Sequence, residues 1–259
     1  MPPKHKKRGR ESKLVLKLWT LKNVVEIKAP MLRSFDFIGS IQYICFKNIP
    51  LLAKVSLIDN ESSEKSRKCE ITNFFKSFVV LENLKLNEAS RKLFAAAAGG
   101  VPTRLPFDLK FFKYLRISSV ALDQQGEILC ALFLIRSCPY LEYMKIYKVC
   151  FFDEDSPALP CLELEGFSDV MFSHLKEVNL QGFLATKAGM QFIKLLLDKS
   201  HVLVRMLIKF YIDDYDHCQL YEYLTKTYSL IVVVNAFRCA SPNAEVAFHI
   251  EYDSDYDDL

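Results

Sequence analysis

A six-residue pattern, Φ-x-x-Φ-x-Φ with Φ apolar, recurs along the 259-residue chain, and seven spaced copies of it constrain its fold more than any other feature. It is carried by Leu32/Phe35/Phe37, Leu52/Val55/Leu57, Leu81/Leu84/Leu86, Phe112/Leu115/Ile117, Leu141/Met144/Ile146, Leu175/Val178/Leu180 and Leu203/Met206/Ile208. The starts lie 20, 29, 31, 29, 34 and 28 residues apart. The last two apolar positions of each copy are two residues apart, the period of a strand with one buried face. The alternate positions read Ser34/Asp36/Ile38, Lys54/Ser56/Ile58, Asn83/Lys85/Asn87, Tyr114/Arg116/Ser118, Tyr143/Lys145/Tyr147, Glu177/Asn179/Gln181 and Arg205/Leu207/Lys209. Most of these are polar and three others are tyrosines, so each copy predicts a strand with one apolar and one polar face.

Between the copies the apolar period becomes helical. Ile71, Phe74, Phe75 and Phe78 fall at i, i+3, i+4 and i+7. Ile128–Arg136 is apolar nearly all round, as in a buried helix. Gly189–Lys199 puts Met190, Ile193, Leu196 and Leu197 on one side, and Cys218–Lys226 is a weaker helical stretch. Strands of L-x-x-L-x-L type repeating at intervals of this order, with helices between them, predict an α/β leucine-rich-repeat solenoid. Right-handed crossovers then make the strands parallel, on the concave face, with the helices outside. The expected organisation is a basic disordered tail over 1–13, a leucine-rich-repeat region over 14–157, a C-terminal region continuing the solenoid over 158–250, and an acidic tail over 251–259.

Composition excludes several classes. With 51% hydrophobic residues and a net charge of only +3, wholesale disorder is ruled out. The longest apolar runs, such as Ile128–Ile135 and Leu230–Val234, fall far short of the roughly 20 residues of a membrane span. The eight cysteines form no CxxC pair and read as reduced core thiols. These features predict a soluble protein of the nucleus or cytoplasm. Charge is concentrated at the ends. Lys4, Lys6, Lys7, Arg8 and Arg10 make a patch of nuclear-localisation or polyanion-binding type, and Glu251, Asp253, Asp255, Asp257 and Asp258 make the acidic tail. A near-neutral body between them does not predict a nucleic-acid-binding domain.

No catalytic constellation is evident, so no enzyme is expected, and no cofactor. Asp213-Asp214-Tyr215-Asp216-His217 is the one cluster with metal-ligand residues, but it lacks the Gly and spaced Glu of a calcium loop. It reads instead as the acidic start of a helix. The candidate partner site is the outward strand face. Lys85, Tyr114, Arg116, Tyr143, Lys145, Tyr147, Arg205 and Lys209 offer cations and aromatic area, the residue types enriched at binding hot spots. A net-basic face favours an acidic or phosphorylated protein segment.

Several stretches carry a resemblance. They include Ala29-Pro30-Met31-Leu32-Arg33-Ser34-Phe35, Pro50–Leu57, the string Ala97-Ala98-Gly99-Gly100-Val101-Pro102-Thr103-Arg104-Leu105-Pro106, and Cys130–Pro139 with Leu141-Glu142. Further on come Leu175-Lys176-Glu177-Val178, Phe192–Leu197, Ser200 and Arg238–Val246. Over roughly 14–250 the chain resembles the plant F-box/FBD/LRR-repeat family, its C-terminal part being similar to the FBD module. The resemblance implies an FBD-type C-terminal cap. It also implies a protein that selects substrates for a cullin-type ubiquitin ligase, whose adaptor subunit is bound by an N-terminal F-box. Only 28 residues precede Ala29, and the first thirteen are the basic tail. The expectation is therefore the substrate-recognition portion without a recognisable F-box, and the adaptor contact is not carried over from the family. The alternatives are a decoy or truncated non-ligase binder of the same fold, and a polyanion binder acting through Lys4–Arg10.

Overall fold

A computed structural model of the chain describes residues 12–18, 25–39, 44–58, 71–87, 104–121, 133–150, 171–182, 187–212 and 217–252. Its strands are β1 (Lys13–Leu18), β2 (Val25–Lys28), β3 (Ser34–Gly39), β4 (Ile44–Lys47), β5 (Lys54–Ile58), β6 (Asn83–Leu86), β7 (Tyr114–Ala121), β8 (Tyr143–Cys150), β9 (Glu177–Gln181), β10 (Arg205–Ile212) and β11 (Glu245–Tyr252). Its helices are α1 (Ile71–Lys76), α2 (Lys187–Lys199) and α3 (His217–Asn235), with one further helical turn over 133–136. Nine strands form one all-parallel sheet in the order β1-β3-β5-β6-β7-β8-β9-β10-β11, and β2 pairs with β4 in a separate parallel pair.

All seven copies of the motif become strands of the large sheet, in register. One apolar row runs Leu14, Phe35, Val55, Leu84, Leu115, Met144, Val178, Met206, Val246 across the nine strands. A second runs Leu16, Phe37, Leu57, Leu86, Ile117, Ile146, Leu180, Ile208, Phe248. Both rows are buried in the seven inner strands and half-buried in β1 and β11, because an edge strand has a neighbour on one side only. The helices pack on this apolar face. Phe74, Phe75, Leu195, Leu196, Leu230 and Val234 belong to the same buried cluster as the sheet rows.

The first Φ of the motif has its own physical role. The N–H groups of Leu32, Leu52, Phe112, Leu141 and Leu175 each donate to the carbonyl three residues back, closing a tight turn over a buried side chain. One residue after that Leu or Phe, a repeated junction begins. The Arg33 carbonyl accepts from both Ala53 and Lys54, that of Ala53 from Glu82 and Asn83, and that of Glu82 from Lys113 and Tyr114. The same two-donor junction recurs from Lys113 to Glu142 and Tyr143, and from Glu142 to Lys176 and Glu177. Each unit thus fixes the start of the next strand through its backbone, which is why uneven spacing leaves the register intact. The spacing is absorbed between strands. Ser137, fully buried, anchors one such connection: its hydroxyl donates to the Phe133 carbonyl at 2.7 Å and accepts the Leu105 N–H at 2.8 Å.

Several elements differ from the sequence expectation. β1, β2, β4 and β11 are not among the seven copies, and β2 and β4 have four residues each. The short gap from β3 to β5 holds β4, where the β5–β6, β9–β10 and β10–β11 gaps hold α1, α2 and α3. β1 begins at Lys13, the last residue assigned to the basic tail, and β11 runs through Glu251 and Tyr252, the first two of the acidic one. α3 continues past Lys226 to Asn235 because Thr227, Leu230 and Val234 prolong its buried stripe. Its Val-rich end has strand propensity, and burial of that stripe overrides it. Of the helix expected at Ile128–Arg136, 133–136 lies among the described residues and is helical, with Phe133, Leu134 and Ile135 buried. Gly39 ends β3 at φ 149°, and a Cβ there would collide with the Leu18 carbonyl oxygen, so glycine lets β1 lie against β3.

The residues just before β7, β8 and β9 form a charge ladder. Glu142 is bridged by Lys113 at 2.9 Å and Lys176 at 2.7 Å. The two ammonium hydrogen bonds hold its carboxyl well below the usual range, at about 2. A depressed carboxylate contributes stability that is complete above its unfolded value and disappears as pH falls through the folded one. Glu142→Gln is therefore expected to lower the melting temperature at pH 7, by an amount corresponding to about 1 kcal/mol or less because both lysines are half-exposed. The gap to the wild type should narrow steadily between pH 5 and pH 2 in thermal melts. A gap independent of pH would show that Glu142 acts through packing instead.

Candidate functional site

The polar face of the large sheet carries three rows of outward side chains. The first runs Lys13, Ser34, Lys54, Asn83, Tyr114, Tyr143, Glu177, Arg205, Glu245. The second runs Val15, Asp36, Ser56, Lys85, Arg116, Lys145, Asn179, Leu207, Ala247. The third contains Ser118, Tyr147, Gln181, Lys209 and His249. A concavity of about 560 Å³ lies on this face and is floored by the first two rows from β3 to β10. Its rim and floor carry Lys54, Lys85, Arg116, Lys145 and Arg205 against Asp36 and Glu177, so the depression is net basic.

Parallel pairing brings Lys85, Arg116 and Lys145 side by side on three consecutive strands. Neighbouring strands lie about 4.8 Å apart, and like charges placed directly opposite one another are destabilising. Among the described residues no carboxylate pairs with any of the three. Asp36, two strands away in the same row, is held by Lys13 at 2.6 Å. Lys85 feels the crowding: burial, and then the Arg116 charge, push its ammonium pKa down, while Asp36 partly offsets them. Arg116 leans over the Tyr147 ring at 4.3 Å from the centroid, and the Lys145 ammonium lies 4.2 Å from the same centroid. These cation–π contacts hold both side chains without neutralising them. Among the described residues, buried Arg116 Nε has no acceptor, and buried Asn179 Oδ1, beyond Lys145 in the row, has no donor.

Next to the cations stands an aromatic pair. Tyr114 and Tyr143 stack with centroids 4.6 Å apart and planes 5° apart, and Tyr114 is 42% exposed. The sheet spaces equivalent positions so that two rings on adjacent strands meet face to face. Six of the eight candidate residues, Lys85, Tyr114, Arg116, Tyr143, Lys145 and Tyr147, therefore form one contiguous patch. Arg205 lines the concavity but is separated from the patch by Glu177 and faces Glu245 on its other side. Lys209 lies in the third row between Gln181 and His249.

Two site residues escaped the sequence reading. Asn179 occupies the equivalent motif position to Lys145, so its signal was present in the alternation. Lys13, the partner of Asp36, was assigned to the basic tail; the alternation of Leu14, Leu16 and Leu18 with charged or exposed neighbours is the signal that places it in a strand. The basic cluster Lys4, Lys6, Lys7, Arg8 and Arg10 lies outside the described residues, as do Asp213–Asp216. His217 begins α3. Among the described residues no group of three or more His, Cys, Asp or Glu comes together to hold a metal ion. No described helix is long and apolar enough to cross a membrane. A second, smaller cavity of about 170 Å³ lies on another surface beside Arg104, Cys138 and Phe172. Comparison of the chain with protein-family models, curated proteins and solved structures finds no match.

Proposed function

We propose that this chain is a leucine-rich-repeat solenoid with an FBD-type C-terminal cap, and that it serves as the substrate-recognition portion of a plant F-box-type ubiquitin-ligase receptor. It is a non-enzymatic binder in this reading, and any ubiquitin transfer belongs to other subunits. The repeat assignment is supported by the sequential parallel sheet and by the backbone junction repeated from unit to unit. The partner is a protein with an acidic or phosphorylated segment, bound across the polar face of the sheet. The observation that carries this is the row Lys85–Arg116–Lys145, three adjacent cations in a concavity with no carboxylate partner among the described residues. Such a row costs stability in the free protein, and an anionic segment removes that cost.

Affinity capture with the full chain from plant extracts, followed by titration of each purified protein recovered, tests the reading. The expected partner binds directly, and its affinity falls steeply between 50 and 500 mM salt, as screening of exposed charges requires. Partners that bind with salt-independent affinity, or none that bind directly, would overturn it. Titration with the cullin-ligase adaptor belongs in the same series. Direct binding would assign ligase recruitment to this chain itself.

A further inference from the structure

The basic row has a chemistry more specific than positive charge. Its three donors sit at one register position on three strands and span about 10 Å. A carboxylate offers one negative charge and two oxygens. A phosphate monoester offers nearly two charges and three terminal oxygens at neutral pH. Three cations on separate strands match the second inventory, since each terminal oxygen can take a charge-assisted bond from a different side chain. Arg116 supplies the planar fork that such oxygens favour, and its Nε lacks an acceptor among the described residues. The two ends of the row differ. Toward β3 stands Asp36, already engaged by Lys13. Toward β9 stands Asn179, whose buried Oδ1 lacks a donor among the described residues. A polypeptide carries N–H groups close to its phosphate, and a bare phosphate ion does not. The concavity of about 560 Å³ has room for more than an ion, and the exposed edge of the Tyr114–Tyr143 stack gives the adjoining chain an aromatic surface.

We propose that Lys85, Arg116 and Lys145 bind the phosphate monoester of a phosphorylated side chain in an extended polypeptide segment, with Asn179 accepting from that segment; this rests on the partner-binding reading above. Phosphorylation of the partner would then switch recognition on.

The test uses the full chain and three probes: a fluorescent degenerate peptide library with a fixed central phosphoserine, the same library with Glu at that position, and inorganic phosphate. The phosphoserine library is expected to bind at least about tenfold more tightly than the Glu library, the margin of one charge-assisted bond. Lys85→Met should remove that preference with no loss of melting temperature, because it deletes a crowded like charge. Arg116→Gln should do the same to binding. Equal affinity for the two libraries would overturn the proposal. So would a phosphoserine preference that survives both variants, or inorganic phosphate binding as tightly as the phosphopeptides. If both libraries bind equally and both are lost on charge reversal in the row, this inference falls while the acidic-partner reading stands. If neither library binds and no protein is captured, both fall.

Discussion

The double variant Arg116→Glu/Lys145→Glu is expected to lose at least about 100-fold in affinity for the partner recovered by capture, while folding normally. Each lost charge-assisted hydrogen bond weakens binding by about 1.5–3 kcal/mol, and the two new carboxylates repel the ligand besides. The fold has little reason to suffer. Lys85, Arg116 and Lys145 stand opposite one another as like charges. Reversing two of them gives Lys85 a carboxylate for a neighbour, and opposite charges across strands are mildly favourable. Against that stands the loss of two contacts to the Tyr147 ring, at 4.3 and 4.2 Å. Each such contact is worth about 0.5–1 kcal/mol at an exposed site. The melting temperature should therefore move by only a few degrees in either direction. Titration of partner against wild type and variant, beside a thermal melt of each, decides the matter. Undiminished affinity in a folded variant would sink the assignment of the site to this face.

The second large effect concerns the fold. Phe35→Ala is expected to destabilise the chain by about 3–5 kcal/mol, the range for truncating a fully buried phenylalanine. Phe35 is 0% exposed and lies in β3 of the large sheet. Its ring stacks on Phe37 at 6.1 Å and meets Phe46 of β4 edge-on at 5.3 Å. Phe46 in turn touches Phe74 at 5.9 Å and Phe78 at 5.2 Å, in and just beyond α1. One side chain thus ties together the large sheet, the β2–β4 pair and the first helix. Domains are stable by only about 5–15 kcal/mol, so the loss is a large fraction of the total. Phe111→Ala makes the comparison: that ring is 52% exposed, and its removal should change stability by no more than about 0.5 kcal/mol. Urea unfolding followed by circular dichroism measures both. A cost for Phe35→Ala near that of Phe111→Ala would mean that the aromatic cluster is not a connected core.

The candidate patch was legible for a local reason. In Tyr114-Leu115-Arg116-Ile117 and Tyr143-Met144-Lys145-Ile146 the side chains alternate between core and exterior whatever the rest of the chain does. Lys85, Arg116 and Lys145 occupy the same position in successive motifs, so a shared face followed once the copies were read as neighbours. β2 and β4 did not stand out, because each four-residue strand has one buried side chain, Ile27 or Phe46, and apolar spacing as short as Ile41/Ile44/Phe46 recurs by chance in a chain this apolar. The full extent of α3 was obscured by Ile231–Val234, whose β-branched run favours a strand, while the burial of Leu230 and Val234 that overrides it is a tertiary property.

In the seven motif strands the inner and outer faces were thus decided by the sequence alone, since they depend on alternation within six residues. Tertiary structure decided which outward side chains meet. The carbonyl of Glu82 receives the N–H groups of Lys113 and Tyr114, and that of Lys113 receives those of Glu142 and Tyr143. These bonds join segments about thirty residues apart and set the register. Only that register crowds three cations into one row, stacks Tyr114 on Tyr143, gives Lys13 to Asp36 and parts Arg205 from the patch by a glutamate. Hydrogen bonding between distant backbones leaves no mark in local composition, so the charge pattern of the face emerges only when the strands pair.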